Sequence, residues 1–240
     1  KADEFLSEPL ERYTALYNVL PIFHGFGLCI NMHMCMMMRA TNIMCIKFNA
    51  GMSAKQIIRE KANILTGVPT MFLKLLGEKT FTEGDLSNLK DVYVGGDSVP
   101  DSLVREFNAA LSAGGSTARM YIGYGLTETV TVCLVNTLRH NCPSSIGYPL
   151  SNTEVRIYKD GARLPAGEVG EIYLHTDQFM LGYLGEEQAP FAEEDGKKWL
   201  KTGDYGWLNE DGFLFFKQRI KNMIKVSGVP VYPSEIEEAV

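Results

Sequence analysis

The hydrophobic spacing of this chain changes period near Pro143, and that change decides which layered architectures it can build. Ahead of it, helical and strand patterns alternate. Ser53 with Gln56 predicts a capping box for a helix carrying Ile57, Ile58, Ala62 and Leu65, and Pro69 to Leu76 a second helix stopped by Gly77. A strand is expected at Val92 to Val94. Pro100 opens a helix with Leu103, Val104, Phe107 and Leu111 at helical spacing, and strands follow at Met120 to Ile122 and Val130 to Val135. Such alternation implies a partly parallel α/β sheet. Past Pro143 strands alternate in-out, as in Val155-Arg156-Ile157-Tyr158, with hairpin signals at Asp160-Gly161 and Asp211-Gly212. The expected architecture is an α/β unit over 1–142 followed by a β-rich, barrel-like unit over 143–219.

Composition excludes several classes. The 240 residues are 45% hydrophobic, enough for a substantial core, and the net charge of −6 argues against a nucleic-acid partner. Cys29, Cys35, Cys45, Cys133 and Cys142 lack paired zinc spacing, and their odd number reads as reduced, mostly buried thiols. The apolar run from Gly25 to Met38 is broken by Asn31 and His33 and falls short of the ~20 residues of a membrane span, so a cytoplasmic location without a signal peptide is expected. Met32, Met34, Met36, Met37 and Met38 read as core filler on a helix rather than as a soft-metal site. Ser112-Ala113-Gly114-Gly115-Ser116-Thr117 has phosphate-loop composition, but it follows a helical pattern and has no Lys after it, so it reads as a helix stop.

Chemistry concentrates in Tyr121-Ile122-Gly123-Tyr124-Gly125-Leu126-Thr127-Glu128-Thr129. Gly123 and Gly125 allow close backbone approach to a ligand, Tyr124 offers a flat face to a purine, Thr127 a hydroxyl to a phosphate, and Glu128 a hard oxygen to a divalent cation. By itself the stretch reads equally as a buried turn with an exposed acid. Two further segments have ligand-like composition: Lys201-Thr202-Gly203-Asp204, then Asn209-Glu210-Asp211-Gly212 ahead of Lys217-Gln218-Arg219. Without more context Asp204 reads as a turn residue after Gly203.

Together these segments resemble the adenylate-forming (AMP-binding) superfamily of acyl-CoA synthetases, peptide-synthetase adenylation domains and luciferases. The resemblance rests on Leu20-Pro21-Ile22-Phe23-His24-Gly25-Phe26-Gly27, on Tyr124 to Glu128, on Lys201 to Asp204, and on Arg219 through Lys225-Val226-Ser227-Gly228 to Pro233-Ser234-Glu235-Ile236-Glu237. Val94-Gly95-Gly96 and Gly167 to Glu171 are weaker matches in the same order. Leu126 and Ser145-Ile146-Gly147-Tyr148-Pro149 resemble acyl- or aryl-CoA synthetases more than peptide-synthetase domains. The superfamily's upstream phosphate loop and the essential lysine of its small C-terminal domain have no counterpart between Lys1 and Val240, so a fragment, inactive alone, is expected.

The resemblance implies an ATP-dependent carboxylate–CoA ligase that makes an acyl-adenylate and then an acyl-CoA thioester from a small-molecule carboxylic acid, ATP and coenzyme A. In that reading Thr127, Glu128 and His24 are catalytic, and Glu128 holds Mg2+. Gly95, Gly96, Asp97, Tyr124, Gly125, Thr127, Asp204 and Arg219 bind nucleotide, Asp204 on the ribose hydroxyls. Lys221 is the hinge into a small domain beginning over 220–240, and Lys225, Ser227 and Gly228 line the CoA tunnel. Loading of a carrier-protein thiol and a nonenzymatic nucleotide-binding relative are the alternatives. His33, His140 and His175 are read as surface or structural residues.

Overall fold

The computed structural model describes residues 4, 6–185, 190–220, 224–226 and 229–231. Its first sheet has seven strands: β1 (Ala15–Asn18), β2 (Thr41–Met44), β3 (Ile64–Gly67), β4 (Asp91–Val94), β5 (Met120–Gly125), β6 (Val132–Val135) and β7 (Tyr148–Pro149), in spatial order β2-β1-β3-β4-β5-β6-β7. The first five strands pair in parallel, and β6 and β7 are added antiparallel. Every residue of β1, β3 and β4 is buried. Strands covered on both faces need apolar runs rather than alternation, which Ala15-Leu16-Tyr17, Ile64-Leu65 and Val92-Tyr93-Val94 supply, while the buried Asn18, Thr66 and Asp91 are hydrogen-bonded.

One face is covered by α2 (Ala50–Arg59), α3 (Pro69–Leu76) and α5 (Asp101–Ala113), after the short α1 (Met34–Met37) and with the single turn α4 (Lys79–Thr82) between. Ile57, Phe72, Leu75, Leu103 and Phe107 pack there on Tyr17, Leu65, Val92 and Val94, with the Phe72 and Phe107 rings edge-to-face at 5.0 Å. The other face is covered by a π-helix, Phe26–His33, that runs into α1 and buries Ile30, Met34, Cys35 and Met38. The methionine run divides between core and surface, because Met36 and Met37 are exposed.

Several local expectations need correction. The cap of α2 is Asn49, whose side chain accepts from the Met52 amide at 3.0 Å. Ser53 lies one turn inside that helix, buried, and takes the Tyr17 hydroxyl at 2.7 Å. That helix ends at Arg59, so Ala62 lies beyond it and Leu65 belongs to β3. Gly77 and Gly114 do stand at helix ends, after α3 and α5. The strand expected from Val130 begins only at Val132, for a reason given below. Of the cysteines, all free, Cys35 and Cys133 are buried and the other three half-buried.

The second sheet is antiparallel: β8 (Thr153–Lys159), β9 (Ala162–Arg163), β10 (Gly170–Thr176), β11 (Phe191–Glu194), β12 (Lys197–Leu208) and β13 (Leu214–Arg219), with β12 at its centre between β10, β11 and β13. Both hairpin signals are realised: Asp160-Gly161 joins β8 to β9, and Asp211-Gly212 joins β12 to β13. A third core of Cys133, Leu134, Ile157, Ile172, Leu174, Leu200 and Leu214 joins the sheets. Backbone bonds from Ile146 N to Leu214 O (2.8 Å) and from Leu214 N to Gly147 O (3.0 Å) fasten β13 to the end of the first sheet. A separate hairpin pairs β14 (Ile224–Val226) with β15 (Val229–Val231). Among the described residues no helix is long and apolar enough to cross a membrane.

Candidate active site

The parallel strands β4 and β5 both end at the same edge of the first sheet, and β12 and β13 of the second sheet reach that edge from the side. A cavity of about 470 Å³ opens there. It is lined by His24 and Phe26, by Gly95 and Gly96, by the whole turn Gly123 to Glu128, and by Asp204 and Arg219. Carboxyl ends of parallel strands are the usual place for a ligand crevice in open α/β sheets. Asp97 lines an adjoining recess that shares Gly96, Tyr124, Asp204 and Arg219 with the first. Thus His24, Gly95, Gly96, Tyr124, Gly125, Thr127, Glu128, Asp204 and Arg219 come to one cavity, with Asp97 beside it. Lys221, Ser227 and Gly228 lie outside the described residues; Lys225 is placed only as backbone of β14. Asn209 to Gly212, grouped above with the ligand-like segments, is instead the β12–β13 turn, where Asn209 Oδ1 accepts from the Phe213 amide at 2.8 Å.

Asp204 is 1% exposed, yet its carboxylate is only half used. Oδ2 accepts the Tyr124 hydroxyl at 2.6 Å. Arg219, paired with Asp204 across β12 and β13, brings Nε to 3.1 Å from Oδ1, an ion pair whose alignment is not that of a hydrogen bond, and Oδ1 accepts none. Burial pushes the Asp204 carboxyl above its ordinary value; the Tyr124 hydroxyl and the Arg219 charge oppose that, and nearby Glu128 adds to it. The Tyr124 phenol is driven well above its ordinary value, first by burial and then by Asp204.

The turn carrying Thr127 and Glu128 is held under strain. Thr127–Thr129 form one 3-10 turn, and the Thr129 hydroxyl accepts from the Leu126 amide (3.0 Å) and donates to the Thr131 carbonyl (2.9 Å). Val130 then adopts φ 64 and ψ −44, with Thr131 N bonded to Thr129 O at 2.7 Å. That is a γ-turn of the rare, strained hand, centred on a β-branched residue. It is why the apolar run from Val130 does not begin a strand. Two glycines make room: a Cβ on Gly25 would sit 1.5 Å from Val130 O, and one on Gly125 would sit 2.2 Å from Thr131 O. Gly125 thus also serves close approach within the chain itself, while its backbone lines the cavity.

Three contacts brace the turn from the loop after β10. Gln178 Nε2 donates to Val132 O at 2.9 Å, Met180 N to Glu128 O at 2.9 Å, and the Tyr183 hydroxyl to Glu128 Oε1. Nothing in the sequence signals Tyr183, which lies 55 positions from its partner. At the cavity mouth His24 is exposed and its Nδ1 accepts from the Phe26 amide at 3.2 Å. His175 and His140 sit elsewhere: Nδ1 of His175 is 2.8 Å from Lys198 O, and His140 stacks on Tyr148. No group of three or more His, Cys, Asp or Glu side chains that could hold a metal occurs among the described residues. Glu128 with the Thr127 hydroxyl beside it is a donor set suited to a Mg2+ that draws most of its oxygens from phosphates and water.

Residues 4–184 match the model of the AMP-binding enzyme family. The chain belongs to that family. It is 31% identical over 249 aligned positions to the long-chain-fatty-acid–CoA ligase of Haemophilus influenzae, covering 100% of this chain and 42% of the relative. It is 36% identical to the corresponding ligase of Yersinia pestis, over 92% of this chain and 39% of that one. Among solved structures, an anthranilate CoA ligase in complex with anthranoyl-AMP superposes with a TM-score of 0.83 at 26% identity, over 97% of this chain and 44% of that one. O-succinylbenzoate coenzyme A synthetase from Bacillus subtilis, in complex with ATP and magnesium ion, gives 0.79 at 27% identity, over 94% and 46%. The chain thus spans less than half the length of these relatives, and within that span it has the fold and acyl-CoA ligase kinship expected from its motifs.

Proposed function

We propose that the chain is the nucleotide-gripping portion of an ATP-dependent carboxylate–CoA ligase, which joins a carboxylic acid to AMP and then passes the acyl group to the thiol of coenzyme A. The observation that carries this reading is Asp204: a buried carboxylate in the cavity, with one oxygen held by the Tyr124 hydroxyl and the other met only by the Arg219 guanidinium, poorly aligned at 3.1 Å. A carboxylate oxygen so placed keeps acceptor capacity for a ligand hydroxyl. A ribose supplies hydroxyl donors for that oxygen, whose position is fixed from two strands by Tyr124 and Arg219.

In the first half-reaction a carboxylate oxygen of the acid attacks the α-phosphate of ATP, forming the acyl–phosphate bond and releasing pyrophosphate. Repulsion between anions is the obstacle. Mg2+, when bound, neutralises part of the phosphate charge. Glu128 and Thr127 lie on the braced turn at the cavity, where Glu128 would hold that ion and the Thr127 hydroxyl would donate to a phosphate oxygen. Asp204 and Arg219 fix the sugar and hence the line of attack, Tyr124 orients Asp204, and the backbone of Gly95, Gly96 and Asp97 borders the base. His24, at the mouth, is assigned to the acyl carboxylate. Lys221 as hinge into a domain beginning over 220–240, and Lys225, Ser227 and Gly228 beside the pantetheine, complete the same proposal.

The test is ATP–pyrophosphate exchange by the full gene product with benzoate, octanoate and dodecanoate, followed by thioester assays with CoA and with a carrier protein. Acid-dependent exchange and a CoA thioester support the ligase. Thioester on the carrier alone would move it to the peptide-synthetase-like branch, and ATP binding without exchange would make it a nonenzymatic relative.

A further inference from the structure

Glu128 is the carboxylate assigned to the metal in the proposed function, and it stands beside strained backbone. Val130, two residues on, holds the strained γ-turn, a conformation that persists only where surrounding contacts over-determine it. Gly25 packs against it on one side, and a single loop braces it on the other. The segment 178–183 crosses the turn and bonds it three times: at Val132 through the Gln178 side chain, at the Glu128 carbonyl through the Met180 amide, and at the Glu128 carboxylate through the Tyr183 hydroxyl. The first two bonds fix backbone. The third fixes a functional group: with Oε1 taken by the phenol, the carboxylate cannot rotate freely and Oε2 is the oxygen left for the cavity.

We propose that Tyr183 is a positioning residue, setting the Glu128 carboxylate so that its second oxygen faces a nucleotide-bound Mg2+. The proposal rests on the reading of Glu128 given above. A phenol donating to one carboxylate oxygen orders the side chain in advance and spares the ion that work. Tyr183 is 37% exposed, so removing its hydroxyl while keeping the ring leaves the packing in place.

The experiment is calorimetric binding to the full gene product and its Y183F, E128Q and Y183F/E128Q variants, using MgATP and, separately, ATP in excess chelator. Y183F should weaken MgATP binding by about tenfold, the scale of one hydrogen bond to a charged group, and change metal-free ATP binding by less than about twofold. In the E128Q background the same change should have less than about a twofold effect, because the positioned group is already gone. Parent-like MgATP affinity in Y183F alongside weakened binding in E128Q would overturn the role of Tyr183 while leaving that of Glu128 standing. Equal losses from Y183F with and without Glu128, or with and without metal, would reduce Tyr183 to a packing residue. Parent-like affinity in E128Q would overturn Glu128 itself, and Tyr183 with it.

Discussion

Tyr124 and Asp204 are 80 positions apart and joined by a single 2.6 Å hydrogen bond, with the phenol from β5 of the first sheet and the carboxylate from β12 of the second. The bond makes the cavity a junction of two sheets. Because Asp204 is buried while Arg219, its ionic partner, is largely solvated, the carboxylate is charged at a cost the pair does not fully offset.

That imbalance predicts a pH dependence of stability. The folded protein holds the Asp204 proton more tightly than the unfolded chain, since burial raises the carboxyl above its ordinary value of 3.8. Stability from this group is therefore full below that ordinary value and is lost as pH rises through the raised folded value. Asp204→Asn, which can still accept from Tyr124, should unfold at a higher temperature than the parent at pH 7, and the difference should shrink towards pH 4. A gap of the same size at both pH values in thermal melts would show that the charge is not the cause.

Glu128→Gln should leave the melting profile unchanged and lower acid-dependent pyrophosphate exchange by roughly two or more orders of magnitude, the scale of removing one strong electrostatic contact to the transition state. The Met180 amide holds the Glu128 backbone, and glutamine can still accept from the Tyr183 hydroxyl, so the fold has no need of the charge. Exchange within a few fold of the parent would remove Glu128 from the mechanism.

Gly25→Ala should disturb the turn from the opposite side. Its Cβ would overlap the Val130 carbonyl, and the atom met is backbone, so the γ-turn itself must shift. Overpacking of this kind costs up to about 3 kcal/mol. For a chain of this size that corresponds to a drop in the unfolding midpoint of roughly 6 to 12 °C, which differential scanning calorimetry would read. An unchanged midpoint would mean that the strained turn yields without cost.

Much of the fold was legible where short-range chemistry decides it. Gly77 and Gly114 end helices because the chain there runs out of helical apolar spacing, and Asp160-Gly161 and Asp211-Gly212 turn because their glycines, at φ 81 and 85, supply the left-handed backbone. Asn49 was missed because Ser53 with Gln56 satisfies the same capping pattern one turn later, and only the burial of Ser53 against Tyr17 distinguishes them. The γ-turn at Val130 was illegible on principle, since Val-Thr-Val favours a strand locally and is overridden by tertiary contacts with Gly25 and the 178–183 loop. Motif order groups Tyr124, Glu128, Asp204 and Arg219, whereas Tyr183 carries no local signal and is marked only by its contact with Glu128 in the folded chain.

The last prediction concerns the 240-residue chain by itself. Between Ile22 and Ile46 it presents Phe23 at 91% exposure together with Leu28, Met36, Met37, Met44 and a wholly exposed Ile46, all from the segments around the π-helix and β2, the edge strand of the first sheet. An edge strand next to exposed apolar side chains invites pairing with another copy, and this one carries no charged residue among Thr41 to Met44 to discourage it. The isolated chain should therefore self-associate, giving a light-scattering mass above 26.7 kDa that rises with concentration. Met44→Lys with Ile46→Lys, which puts charge on that edge, should return it towards the monomer. A monomer at all concentrations in the unsubstituted chain, or an oligomer indifferent to the two lysines, would place the sticky surface elsewhere.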